Sequence, residues 1–235
     1  MTSQADNDSV KADTSLVSLD KVSKVYSQGQ VDALVEVSAD FGKGEFVALL
    51  GASGCGKSTL LNLIGCIDRP TSGTVSISGV PVSALSDTEL TDIRRDSIGF
   101  VFQFFNLLPT LTVEENVNLP LRIGGRSKSE IKEKTESMLE SVGLVPRSSF
   151  FPSQLSGGEM QRAAVARALV HEPSIVLADE PTGNLDSENG IKVLELLKMV
   201  NEKKNLTIIM ATHSVEAASY AGRVLRLRDG RIIVQ

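Results

Sequence analysis

The sequence predicts an α/β domain with a parallel core sheet, an antiparallel β unit near its N-terminus and a block of helices inserted between core strands. Three observations predict it. Short apolar runs at Glu45–Leu50, Ile175–Ala178 and Leu206–Ala211 are set among amphipathic helical stretches, as in parallel sheets covered on both faces. Leu16–Tyr26 and Val31–Phe41 alternate apolar and polar residues on either side of Ser27-Gln28-Gly29-Gln30, the pattern of a hairpin-like strand pair. From about Phe104 to His171 the texture is helical.

Along the chain, MTSQADNDSVKADTS is polar and small, so residues 1–15 are expected to be a disordered tail before one domain over 16–235. The tail lacks the apolar core of a secretory signal. Glu45–Leu50 is a buried strand, the glycine loop from Gly51 follows, and a helix runs from Lys57 to about Ile67. Pro70-Thr71-Ser72-Gly73 reads as a turn and Thr74–Ser78 as a strand. Ser86-x-x-Glu89 is a capping-box start for a short helix, and Ile98–Phe102 is strand-like. The inserted helical block is expected at about 104–171. In it Val113, Val117 and Leu121 recur at i, i+4 spacing. Ser127-x-x-Glu130 caps a longer helix with the stripe Ile131, Met138, Leu139 and Val142, closed by Gly143. LSGGEMQRAAVAR, Leu155–Arg167, opens the last helix of the block. An amphipathic helix over Ile191–Val200 and a final strand pair in Val224–Val234, around Asp229-Gly230, complete the domain.

A formal net charge of −5 over 235 residues argues against a protein that coats nucleic acid or binds membranes through a polybasic surface. The two cysteines, Cys55 and Cys66, make neither a disulfide framework nor a C-x-x-C pair, which points to a reduced, cytosolic setting. No apolar run approaches the roughly 18–20 residues of a transmembrane helix. Work at a membrane would need a partner to hold the chain there.

Gly51-Ala52-Ser53-Gly54-Cys55-Gly56-Lys57-Ser58 fits G-x-x-x-x-G-K-[ST] between a strand and a helix, the context of a P-loop nucleotide hydrolase. The glycines let backbone N–H groups wrap phosphates. Lys57 brings a positive charge to the β- and γ-phosphates, and Ser58 is placed to ligate Mg2+. The apolar run Ile175–Ala178 ends in Asp179-Glu180, at the edge where open α/β sheets bind ligands. Asp179 suits Mg2+ ligation and Glu180 suits a general base for the attacking water. The plainer alternative is two solvated acids opening a loop. His213 ends the run Ile208–Thr212 on the same edge, either touching the γ-phosphate or water, or as a structural histidine. His171 ends a helix and reads as structural. Gln103 follows Ile98–Phe102 and is either a contact for Mg2+ or water, or simply a satisfied polar residue. Tyr26 reads as a half-buried strand tyrosine unless it stacks an adenine ring. Phe102, Phe104, Phe105, Leu107 and Leu108 form either core or a docking groove for a partner helix. Ser156-Gly157-Gly158 opens a helix, where free N–H groups and the helix dipole favour an anion, so the chain carries a second phosphate-binding turn.

GASGCGKST, VFQ, LSGGEMQR, IVLADE, GNLD and ATH, in that order, resemble the ATPase subunits of ATP-binding cassette (ABC) transporters over about Leu16–Val234. The resemblance implies the ABC ATPase fold, with ATP and Mg2+ as ligands. It implies that Gly51 to Thr59 are the Walker A loop, Gln103 the Q-loop, Ser156 to Gln161 the signature and Asp179 the Walker B aspartate. It makes Glu180 the catalytic base, Asn184-Leu185-Asp186 the D-loop, His213 the switch histidine and Tyr26 the adenine-stacking aromatic. It also implies a head-to-tail homodimer when ATP is bound, in which Ser156, Gly157 and Gly158 of one copy close on the γ-phosphate held by the other. The two phosphate turns then serve two different nucleotides. FQFFNLLPTLTVEENVNLPL and PTGNLDS are similar to the macrolide-export, lipoprotein-releasing and FtsE-type subgroup. That likeness implies a separate integral membrane permease with few transmembrane helices, and a place on the cytoplasmic, inner face of the cell membrane. Glu159 stands where many members of the family have Gln. A chain ending at Gln235 resembles the unfused arrangement, or a segment of a fused one. The alternative is a soluble cassette ATPase of translation or DNA repair, which usually carries tandem cassettes or a coiled-coil or zinc insertion. A P-loop kinase or GTPase has no use for LSGGEMQR.

Overall fold

A computed structural model describes residues 15–26 and 31–233. The expected tail and the expected turn at Ser27–Gln30 lie outside the described residues, except Ser15, which opens the first strand.

Alternation along the core strands decides how the molecule is layered. β1 (Ser15–Tyr26), β2 (Val31–Gly42), β4 (Ser72–Ile77) and the two-residue β5 (Val80–Pro81) form an antiparallel sheet in the order β2-β1-β4-β5. The second sheet has the order β10-β9-β3-β8-β7-β6. In it β3 (Phe46–Leu50), β6 (Ile98–Phe102), β7 (Ile175–Asp179), β8 (Thr207–Thr212) and β9 (Arg223–Arg228) run parallel, and β10 (Arg231–Ile233) is antiparallel to β9. Odd residues Val47 and Leu49 of β3 join the core with α1 (Lys57–Ile64) and the antiparallel sheet. Even residues Phe46, Ala48 and Leu50 join the core on the other side. There they meet α3 (Val113–Ile123), α4 (Lys128–Ser141), α5 (Gly157–Leu169) and α6 (Ser187–Lys204). Strands buried on both faces read as unbroken apolar runs, which is why they were visible in the sequence.

Capping explains the helix starts. Ser86 begins α2 (Asp87–Ser97) with a full capping box to Glu89, Thr112 does the same for α3 with Glu115, and Ser127 accepts from the Glu130 N–H to start α4. Elements depart from the sequence expectations mainly at their ends. Ser72 and Gly73 belong to β4 because Ser72 pairs with Ser23 of β1. The first long helix stops at Ile64. α6 extends both ways, from the Asp186 cap to Asn205, whose φ of 51° ends it in a left-handed conformation. The short α7 (Val215–Ala218) was not expected.

Register brings four loops to one edge. Leu50 lies beside Thr212, Asp179 beside Ala211 and Phe102 beside Asp179. The residues after each, Gly51, His213, Glu180 and Gln103, therefore emerge together at the C-terminal ends of adjacent parallel strands. That is where such sheets place ligands.

Candidate functional site

The glycine loop is held from three sides. The Gly51 N–H donates to the Thr212 carbonyl at 3.2 Å, and the Cys55 N–H to Ala52 at 3.3 Å. The Gly230 N–H, in the β9–β10 turn, donates to the Cys55 carbonyl at 3.2 Å. A Cβ at Gly51 would collide with the Leu227 carbonyl, and one at Gly56, where φ is 104°, with the Ala33 carbonyl. Cys55 is buried in this packing, a structural rather than a reactive position. Ser53 and Gly54 are exposed at the loop's tip, and α1 begins at Lys57, so Ser58 and Thr59 lie in its first turn.

Lys57 is only 5% exposed. Its Nζ donates to the Gly51 and Ala52 carbonyls at 2.8 and 3.0 Å and lies 3.6 Å from Glu180 Oε1. The cation thus sits inside the loop, joined to the acid at the end of β7. Burial raises the pKa of Asp179; the neighbouring Glu180 charge adds to the rise, while the Ser58 hydroxyl and Lys57 oppose it. Asp179 Oδ1 is buried with no hydrogen-bond partner. A buried carboxylate oxygen left in this state fits a cation or donor that arrives with the ligand. A carboxylate beside a hydroxyl matches a hard divalent ion such as Mg2+, which keeps waters and substrate phosphate oxygens as its other ligands. Among the described residues no cluster of three His, Cys, Asp or Glu offers a cage for metal.

Glu180 leaves β7 with φ of 47°, a strained conformation for a non-glycine residue. Its N–H donates to the Ala211 carbonyl at 2.9 Å, which locks the turn. Oε2 accepts from the His213 N–H at 3.4 Å and lies 3.0 Å from His213 Nδ1. The carboxylate is therefore held between Lys57 and His213, whose ring is 65% exposed. Gln103 is turned toward another partner. Its Nε2 donates to Asn184 Oδ1 at 3.4 Å, and Asn184 Nδ2 donates back to the Gln103 carbonyl at 2.9 Å. Tyr26 is exposed at the end of β1; its hydroxyl donates to Asp68 at 3.2 Å, and Lys24 Nζ lies 5.0 Å from the ring centre. The ring is thus fixed at its hydroxyl and has the Lys24 ammonium over one face.

The turn that opens α5 is built differently. Ser156 caps α5, its hydroxyl accepting from the Glu159 N–H, while Glu159 Oε2 accepts from the Ser156 N–H and hydroxyl at 2.8 Å each. Glu159 Oε1 meets Arg147 Nε at 2.9 Å. These bonds, led by the Ser156 N–H and then Arg147, lower the Glu159 pKa to about 2. A Cβ on Gly157 would face Leu185, Asn184 and Phe105. One on Gly158 would strike the Asn189 side chain, so this glycine is needed where α5 meets α6. Gln161 departs from the expected ligand role. It is 0% exposed, and its Nε2 donates to the Pro181 carbonyl at 2.6 Å and the Phe102 carbonyl at 3.4 Å. Asp186 caps α6, its two oxygens taking the Asn189 N–H at 2.9 Å and Nδ2 at 2.8 Å. Arg147 and Arg167 escaped the sequence reading, since each acts on a partner outside its own motif, and Asn189 escaped it because its contact with Gly158 is made between α5 and α6.

The aromatic cluster is split between core and surface. Leu107 packs on the core, while Phe104 is 72% exposed. Its sequence neighbours Phe102 and Asn106 line a groove of about 460 Å³ with Phe100, Leu119, Pro120 and Ile123, which Arg94, Arg95 and Arg167 also border. His171 closes one wall, with Nε2 at 3.3 Å from the Ile98 carbonyl, and burial lowers its pKa.

Comparison with known proteins shows the family. The family model described as ABC transporter matches residues 34–183. An uncharacterized ABC transporter ATP-binding protein of Mycobacterium tuberculosis is 49% identical over 93% of this chain and 89% of its own length. The lipoprotein-releasing system ATP-binding protein LolD of Geobacter metallireducens is 47% identical over 94% of this chain and 99% of its own. Among solved structures, the dimeric post-hydrolysis state of the ATP-binding cassette MJ0796 of Methanocaldococcus jannaschii, bound to ADP and Pi, matches with a TM-score of 0.86 and 45% identity. That match covers 93% of this chain and 97% of the other. The chain belongs to the ABC transporter family and is an ATP-binding, ATP-hydrolysing subunit of such a transporter.

Proposed function

We propose that the chain closes head to tail on a second copy of itself over two ATP molecules, and that closure drives a separate membrane subunit. One observation carries the reading. Loop, acids and histidine share one sheet edge, but Ser156–Gly158 opens a helix elsewhere, beside Asn184, Leu185 and Phe105. Each copy thus offers two halves of different sites. A second copy in head-to-tail arrangement completes both, and the helix N-terminus of α5 then meets a γ-phosphate.

Within a completed site, the backbone from Gly51 to Thr59 wraps the phosphates, and Lys57 exchanges its two loop carbonyls for phosphate oxygens. Glu180 takes the proton of the attacking water on a carboxylate oxygen, and His213 holds that carboxylate in place. Ser58 and Asp179 would hold Mg2+, which supplies positive charge against the β- and γ-phosphates. Gln103 would join them only on releasing Asn184. Tyr26 stacks the adenine, and Asp186, free of other duty than its cap, faces the partner copy.

The membrane subunit we propose is a permease with few transmembrane helices, whose cytoplasmic end docks beside Phe104. The exposed Phe104 ring and the groove that Phe102 and Asn106 line, apolar in its floor and bordered by arginines, support this. Among the described residues no helix is long and apolar enough to cross a membrane. As the partner of such a permease, the chain would work peripherally on the cytoplasmic, inner face of the cell membrane, and its formal net charge of −5 argues against a nucleic-acid partner. Tagged Glu180→Gln protein, incubated with Mg·ATP in detergent-solubilised native membranes and recovered for mass spectrometry, tests this. A co-purifying membrane protein with few transmembrane helices is expected. Recovery of ribosomal or repair proteins alone would overturn it.

A further inference from the structure

Two side chains of α5 grip the loop that carries Gln103. At its start, Gln161 Nε2 donates to the Phe102 carbonyl as well as to Pro181, beyond Glu180. At its end, the Arg167 guanidinium spans two consecutive carbonyls, Asn106 at 2.5 Å and Phe105 at 2.9 Å. Phe105 and Asn106 both have positive φ, 61° and 51°. A bulky residue such as phenylalanine rarely holds that conformation without being over-determined by its surroundings. The fork of Arg167 supplies the constraint, since its Nη1 and Nη2 each hold one carbonyl in a fixed planar geometry that the single nitrogen of a lysine at this position does not reproduce. Gln161 and Arg167 lie six residues apart on the helix that Ser156 opens, so the grip spans about 9 Å of its axis. Gln161 Oε1 is buried with no partner, so the amide is held at this junction by its donor side alone.

We propose that Gln161 and Arg167 are positioning residues that make the signature helix and the Gln103 loop move as one unit. When α5 is drawn onto a nucleotide held by the partner copy, the loop follows, with Phe104 at its tip. Conversely, a permease pressing on Phe104 moves the Ser156 turn. Neither side chain touches nucleotide. This deepens the closure reading above and rests on it.

The test uses the absence of tryptophan from the sequence. Phe104→Trp in a Glu180→Gln background gives a single reporter at the loop's exposed tip. With Mg·ATP the tryptophan emission is expected to shift as the dimer forms, followed in parallel by light scattering. Adding Arg167→Lys or, separately, Gln161→Met should leave binding of a fluorescent ATP analogue within about threefold while abolishing the emission shift. In the otherwise natural chain, each of these two changes should lower kcat roughly tenfold with little change in KM for ATP. A merely structural role would lower the melting temperature without separating kcat from KM. A dimer whose tryptophan is silent, or a shift that persists in both variants, overturns the coupling alone. Failure of the parent to dimerise with ATP overturns the closure reading itself.

Discussion

Glu159→Gln tests how the signature turn is held. Glu159 is pulled from the ordinary 4.5 to about 2 by the Ser156 N–H, Arg147 and the Ser156 hydroxyl. A drop of that size corresponds to at most roughly 3 kcal/mol in favour of the folded, ionised state. Water reaches the ion pair, with Arg147 43% and Glu159 20% exposed, which reduces the contribution to about 1 kcal/mol. Glutamine still serves as the capping-box partner of Ser156, so the loss is mainly the ion pair with Arg147. The sign follows from the direction of the shift. A depressed acid stabilises the fold above its unfolded value and loses that contribution as pH falls from about 4.5 toward about 2. Urea unfolding followed by circular dichroism should therefore show Glu159→Gln less stable by about 1 kcal/mol near pH 7, or roughly 2–4 °C in Tm. The gap should narrow steadily below about pH 4.5. Equal stability at neutral pH, or a gap indifferent to acid, would refute the reasoning.

Asp179→Asn should raise the Tm of the nucleotide-free protein while abolishing Mg2+-dependent hydrolysis. Burial raises the Asp179 pKa, so its charge opposes folding above the unfolded value, and removing the charge relieves that cost. A fall in Tm measured by circular dichroism near pH 7 would contradict this. Ser156→Arg should bind ATP as a monomer yet lose dimer-dependent hydrolysis. A titration with a fluorescent ATP analogue that showed lost monomer binding would mean that the turn shapes its own chain's site. Arg147→Met leaves the Glu159 carboxylate uncompensated where a γ-phosphate is expected. It should weaken ATP-driven dimerisation by roughly threefold to tenfold, read by light scattering over protein concentration.

What could be read in the sequence follows from distance along the chain. The loop at Gly51, the acids after Ile175–Ala178 and the capping serines are local patterns whose physics lies within a few residues. Buried strands were legible because both of their faces are apolar. Contacts made across the chain were not. Gln161 read as part of a nucleotide-binding motif, but its amide is spent on carbonyls at Phe102 and Pro181. Asn116 sat unnoticed in a helix, though it is fully buried and bonds both the N–H and carbonyl of Leu108. Gln103 faces Asn184 rather than the Asp179 acid, a choice set by the loop after β7 and invisible from either segment alone. Helix ends moved for a similar reason: Asp186 caps α6 through its own side chain, ahead of any apolar periodicity.

The head-to-tail closure is tested most directly by the mass of Glu180→Gln protein in solution, measured by light scattering with and without Mg·ATP. The account predicts a monomer without nucleotide, a dimer with ATP, and a monomer again when Ser156→Arg is added to the same chain. A mass that ignores ATP, or a dimer that survives Ser156→Arg, would contradict it.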